Sequence, residues 1–142
     1  MAIAEPGYGN ADASFKAAGE LAGVTALVDA FYDIMDSAPQ AAAIRAMHPA
    51  DLGESRRKLC YFLCGWLGGP RLYQQHYGSI NIPEVHQHLA VAGAERDAWL
   101  WCMQRAIDRQ PYALSFKDYL YRQLCVPAER VRQRSALRRA RD

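Results

Sequence analysis

The chain has 142 residues, of which 51% are hydrophobic and 23% charged, and its formal net charge is +2. That length suits one domain able to bury a single core and a cofactor, and it disfavours a second enzyme domain. No apolar run approaches the ~20 residues of a membrane span, and Met1-Ala2-Ile3-Ala4-Glu5-Pro6 lacks the basic and apolar segments of a secretory signal, so a soluble cytoplasmic protein is expected.

Residues 1–13, with Pro6, Gly7, Gly9 and Asn10, carry little periodic pattern and read as a flexible N-terminal arm. From Leu21 to Met35 the apolar positions Val24, Leu27, Val28, Phe31, Tyr32 and Met35 recur at spacings of three and four, which predicts a helix with one buried stripe. Asp36-Ser37-Ala38-Pro39 breaks it, and Ala41 to Met47 forms a short helical turn ending at His48-Pro49. A second long helix is expected from Leu52 to Leu67, with Leu59, Phe62, Leu63 and Trp66 on one face, stopped by Gly68-Gly69-Pro70. Tyr73 to Ser79 reads as a loop. Ile82-Pro83-Glu84 then opens a short helix carrying His86, with proline tolerated in its first turn. Ala94 to Asp108 and Phe116 to Leu124 are further helices. Alternating strand patterns are essentially missing, so the expectation is an all-α domain over 14–127. An Arg-rich C-terminal extension, 128–142, follows as a further helix or a frayed end. It holds six arginines against Glu129 and Asp142.

Four cysteines are present. Cys60 and Cys64 stand one helical turn apart, with side chains that point along rather than toward each other, so reduced thiols are expected. Together with His86 and His88 they suggest zinc, but neither pair has the usual knuckle spacing. Small core residues are the preferred reading, with Cys102 near Trp99 a redox-sensitive thiol. The arginines of the tail suit phosphate contacts, yet without interleaved aromatics or a reading helix a solvated extension is expected and nucleic-acid binding is disfavoured.

His86 stands thirteen residues before Trp99, a spacing that lets a flat cofactor lie between an imidazole and an indole. A haem needs an iron ligand, an apolar slot and polar groups at its edge. His86 is the candidate ligand, and Ile82, Val85, Leu89 and Val91 flank it to pack on one face. Leu59, Phe62 and Leu63 wall the slot opposite. Oxygen on ferrous haem carries partial negative charge, so Tyr32 and Trp99 are placed as donors to it, with His48 a third polar contact. Lys58 and Tyr73 suit the propionates, one by charge and one by a hydrogen bond.

Taken together, Phe31-Tyr32, His48, Ser55, Lys58, Leu59, Trp66-Leu67-Gly68-Gly69-Pro70-Arg71-Leu72-Tyr73 and Glu95-Arg96-Asp97-Ala98-Trp99-Leu100 with Cys102-Met103 resemble the truncated haemoglobins of group II, which carry a tryptophan in the distal pocket. The resemblance covers roughly residues 14 to 126. It implies a two-over-two helical sandwich holding haem b through His86, with Tyr32 as the distal tyrosine and His48 at the approach to the second long helix. It also implies that Ser55 and Leu59 line the distal side and that Lys58 is the basic propionate site. One departure concerns the proximal side. Many members carry a basic residue before the proximal histidine and a Pro-Phe pair after it, whereas Val85 precedes His86 and His88-Leu89 follow, which implies weaker propionate anchoring there.

The implied function is reversible binding of oxygen, nitric oxide or another diatomic ligand at a His-ligated iron. The enzymatic alternative is nitric oxide dioxygenase or peroxidase-like chemistry, which would need an external electron donor because the sequence shows no reductase domain. A weaker alternative is a haem-free helical adaptor with a nucleic-acid-binding tail.

Overall fold

The computed structural model describes residues 7–78 and 92–141, with side chains through residue 136. Its helices are α1 (Ala13–Ala17), α2 (Glu20–Ser37), α3 (Ala42–Ala46, entered by a 3-10 turn at Pro39–Ala41), α4 (Gly53–Trp66), α5 (Leu72–Tyr77), α6 (Gly93–Asp108) and α7 (Leu114–Arg141). The expected stripe of α2 is the centre of the core. Val24, Leu27, Val28, Phe31 and Met35 are all at most 1% exposed, as a three-and-four spacing requires of a helix that buries one face.

α2 packs against α4 on one side and α6 on the other, and α6 packs against α7. These four long helices form the two-over-two sandwich. Leu63 and Cys64 enter the core from α4, Cys102, Met103, Ala106 and Ile107 from α6, and Phe116, Leu120 and Leu124 from α7. At about 1.5–3 kcal/mol for each large apolar side chain removed from water, this shared cluster is the main source of stability. α6 begins where the Ala92 backbone N–H donates to the Glu95 carboxylate at 2.9 Å, satisfying one of the free donors at that end.

Three segments differ from expectation. Residues 7–13, read as part of a free arm, are held down. The Tyr8 ring lies 5.1 Å from those of Phe116 and Tyr119, its hydroxyl meets Ser115 Oγ at 2.8 Å, and the Phe15 N–H donates to the Leu67 carbonyl at 3.0 Å. Gly68-Gly69 makes this crossing possible. A Cβ at Gly68 would stand 1.8 Å from the Ala11 carbonyl oxygen, and one at Gly69 would stand 2.6 Å from the Phe15 ring. The stretch Tyr73 to Tyr77, read as loop, is the helix α5. The Tyr73 and Tyr77 rings meet at a tilt one turn apart, 5.0 Å between centroids, and His76 lies flat on Tyr61 of α4 at 4.9 Å, so tertiary packing outweighs weak propensity.

The tail, expected as a further helix or a frayed end, is helical, and the third difference is only that it continues the preceding helix without a break. α7 runs unbroken through Pro127 to Arg141, although a proline removes one backbone donor from a helix interior. Glu129 offsets that loss by pairing with Arg96 of α6 at 3.0 Å and with Arg132 one turn on. Ser135 is 1% exposed, so the helix stays packed well past the proline.

Candidate functional site

Tyr32 lies on the inner face of α2, 5% exposed, beside the fully buried Phe31. Phe31 is the hub of an aromatic group drawn from separate elements. Its ring meets Trp99 of α6 edge to face at 5.1 Å, while the Tyr32 ring meets that of His48 at 5.8 Å, also edge to face. Trp99, Phe31, Tyr32 and His48, from three separate parts of the chain, therefore form one run of ring contacts.

His48 is positioned by the loop after α3. Arg45 fixes that loop by donating to Asp36 at 2.8 Å and to the carbonyls of Pro49 and Ala50 at 2.9 Å. His48 Nδ1 lies 2.8 Å from the Ile44 carbonyl oxygen. A carbonyl only accepts, so Nδ1 carries the proton, and in the neutral ring Nε2 is an acceptor. The neutral imidazole thus has no second N–H to donate to a ligand, which narrows its expected role as a third polar contact.

The electrostatics of Tyr32 are set by two opposing effects. Burial pushes its phenol up to about 12, and the Arg56 cation pulls it back in part. The hydroxyl therefore keeps its proton at neutral pH and is available as a donor. Trp99, partly buried on the same core, offers an indole N–H that can only donate.

α4 supplies the apolar wall. Leu59, Phe62 and Trp66 follow one another at helical spacing and pack against the core while remaining partly buried, and Phe62 and Trp66 stack at 6.3 Å. Leu63, expected beside them, is fully buried behind this wall. Ser55 lies one turn before Leu59 on the same helix, partly buried. Lys58 reaches outward, with Nζ 4.0 Å from Glu54 and 5.3 Å from the Tyr77 ring centroid. Tyr73 also packs on Tyr77, so the two expected propionate partners share a neighbour at the α4–α5 edge. An apolar wall, two hydroxyl or indole donors and a basic group at the rim match the chemistry of a haem slot. Ile82, Val85, His86, Leu89 and Val91 lie outside the described residues, as does His88.

The cysteines are all free thiols. Cys102 is fully buried, and burial pushes its thiol up to about 11, which argues against the redox-sensitive role expected for it, since the thiolate is the reactive form. Cys60 is lowered to about 6 by a hydrogen bond from Cys64, with Thr25 Oγ1 at 3.5 Å. Among the described residues no group of three or more His, Cys, Asp or Glu side chains is arranged to hold a metal ion, and no helix is long and apolar enough to cross a membrane. Arg56, with Asp29 and Asp33, borders Tyr32 and was not among the residues singled out from sequence.

Residues 13–122 match the family model described as bacterial-like globin. The Group 2 truncated hemoglobin YjbI of Bacillus subtilis (strain 168) is 32% identical over 120 residues, 84% of this chain and 88% of that protein. Among solved structures, the group II 2-on-2 hemoglobin of Agrobacterium tumefaciens is 36% identical with a TM-score of 0.80, covering 83% of this chain and 92% of that one. The cold-adapted truncated hemoglobin of Pseudoalteromonas haloplanktis TAC125 is 29% identical with a TM-score of 0.81, covering 83% and 95%. The chain belongs to the bacterial-like globin family. Within it, the chain is a group II truncated globin of the two-over-two fold, and that membership implies haem binding.

Proposed function

We propose that this globin holds haem b through His86 and retains oxygen or another diatomic ligand by hydrogen bonds from Tyr32 and Trp99. The observation that carries the reading is the run of ring contacts from Trp99 through Phe31 and Tyr32 to His48, at 5.1, 4.9 and 5.8 Å. The haem, when bound, supplies the iron on which a diatomic ligand sits. The chain's own residues do the rest. The buried Tyr32 hydroxyl donates toward partial negative charge on the ligand, and the Trp99 indole donates from a second direction. His48, held through Nδ1 by the Ile44 carbonyl, packs edge to face on the Tyr32 ring and so fixes where that ring stands, leaving the single hydroxyl proton for the ligand. Leu59, Phe62 and Trp66 exclude water, which strengthens each of these bonds. Lys58 and Tyr73 hold the propionate edge, with Lys58 exchanging its Glu54 partner for a propionate.

Absorption spectra of the purified protein, before and after haem reconstitution, test this. A Soret band that is lost or shifted in H86A is the expected result. An unchanged spectrum in H86A would remove His86 as the ligand, and no Soret band in the wild type would remove haem altogether.

A further inference from the structure

Arg56 stands apart from the two basic residues that follow it on α4. Its side chain is 28% exposed, against 53% for Arg57 and 48% for Lys58, because it crosses to α2. There Nη2 donates to Asp33 Oδ1 at 2.8 Å, while Nη1 donates to Asp29 Oδ1 at 3.1 Å and to the Asp29 carbonyl at 3.2 Å. Its guanidinium carbon lies 5.7 Å from the centroid of the Tyr32 ring. The fork geometry explains the choice of arginine. A planar guanidinium can serve two carboxylates and a ring face together, which a lysine ammonium cannot. Without it, Asp29 and Asp33 would repel each other at a spacing of four on one helix.

We propose that Arg56 is a positioning residue for Tyr32: anchored by Asp29 and Asp33, it holds the α2–α4 spacing at the ring and places a fixed positive charge over the ring face. That charge favours electron density moving from the O–H bond into the ring system, so the hydroxyl becomes a stronger donor. The charged and titratable groups facing Tyr32 are Arg56 from α4, Asp29 and Asp33 from its own helix, and His48 from the loop after α3. Of these, Arg56 alone carries a permanent positive charge. The inference rests on the reading of Tyr32 as a donor to a diatomic ligand, and it deepens that reading.

The test is a double-mutant cycle on the haem-loaded protein. Oxygen dissociation is followed by rapid mixing for wild type, R56K and R56Q, each with Tyr32 intact and as Y32F, and the tyrosine Cζ resonances are recorded at neutral pH on the carbon monoxide form. R56Q is expected to speed dissociation roughly two- to fivefold, the effect of losing a cation–π contact of about 0.5–1 kcal/mol. R56K should recover part of it, and the effect should vanish in Y32F because the residue acts through the hydroxyl. The Tyr32 Cζ resonance should move in R56Q. An equal R56Q effect in both backgrounds, or an unmoved Tyr32 resonance, overturns the proposal. If Y32F alone leaves dissociation unchanged, the donor reading fails, while the resonance still decides whether Arg56 polarises the ring. Should R56Q not accumulate, D33N loosens the same guanidinium without removing it and is read by the same two measurements.

Discussion

Arg96 on α6 and Glu129 on α7 share two hydrogen bonds, of 3.0 and 3.1 Å, that fasten the start of the arginine-rich tail to the globin body. Arg132, Arg96 and their charges hold the Glu129 carboxyl below its ordinary range. A carboxyl depressed in the folded state contributes stability that is present above its unfolded value and is lost as pH falls through its folded value. E129Q should therefore lower the melting temperature at neutral pH and make no difference once the medium is acid enough to protonate Glu129 in the wild type. Melting curves of both proteins across that range check the sign. A gap that persists or widens in acid would mean that the carboxylate charge is not what fastens the tail.

The glycine pair after α4 gives a second prediction. Gly68 has φ +92° and a Cβ there would meet the Ala11 carbonyl oxygen at 1.8 Å, whereas Gly78 has φ +85° with nothing among the described residues within 4 Å of its Cβ position. G78A should cost only the backbone strain, about 1–2 kcal/mol. G68A adds displacement of α1, and should cost at least about 2 kcal/mol more, or roughly 4 °C or more of further loss in melting temperature. Thermal unfolding of the two variants isolates the clash, and equal losses would show that the crossing of residues 11–15 does not depend on Gly68.

The elements that were legible in the sequence are those whose signal is local. Val24 through Met35 and Leu59 through Trp66 repeat at helical spacing, and α2 and α4 lie where that spacing places them. α1 was not legible, because Phe15 is buried in a core gathered from distant elements and leans on Gly69 more than fifty residues away. α5 was misread because Tyr73, His76 and Tyr77 gain their order from each other and from Tyr61. For the residues after Pro127 a further helix and a frayed end were equally open, and the Arg96–Glu129 contact shows why the helix continues. At the site, Tyr32, His48 and Trp99 were legible from their donor chemistry and from the resemblance, and ring contacts link them through Phe31 and Tyr32. Arg56 was missed since Arg56-Arg57-Lys58 offers three similar cations, and only the position of Asp29 and Asp33 on the facing helix singles out the first.

His86 and His88 present a choice that the motif spacing makes in favour of His86. On the short helix expected there from the sequence, side chains two residues apart would point to different sides, so the two imidazoles could not both reach one iron from the same face. H86A should lose the Soret band of the reconstituted protein, or regain it only with added imidazole, which replaces the missing ring as a free ligand. H88A should keep the wild-type ferric and ferrous spectra. A reversal of these two outcomes would move the ligand to His88.

Removing either donor should release oxygen faster. Tyr32 is 5% exposed and its phenol, pushed up to about 12, stays protonated through neutral pH, so its bond to a partly negative ligand is buried and charge-assisted. Such bonds are worth about 1.5–3 kcal/mol, which puts the rise in dissociation rate for Y32F at roughly tenfold or more. Trp99 is held edge to face on Phe31 at 5.1 Å, so W99F keeps an aromatic ring against Phe31 while it removes the N–H and part of the indole volume. Its effect should be of the same order, and the two should combine less than additively because both bonds share one acceptor. Stopped-flow displacement of oxygen by carbon monoxide in the two single variants and the double variant measures all three quantities. Unchanged rates in both single variants would refute the two-sided clamp, and strict additivity would show that the hydroxyl and the indole act on the ligand independently.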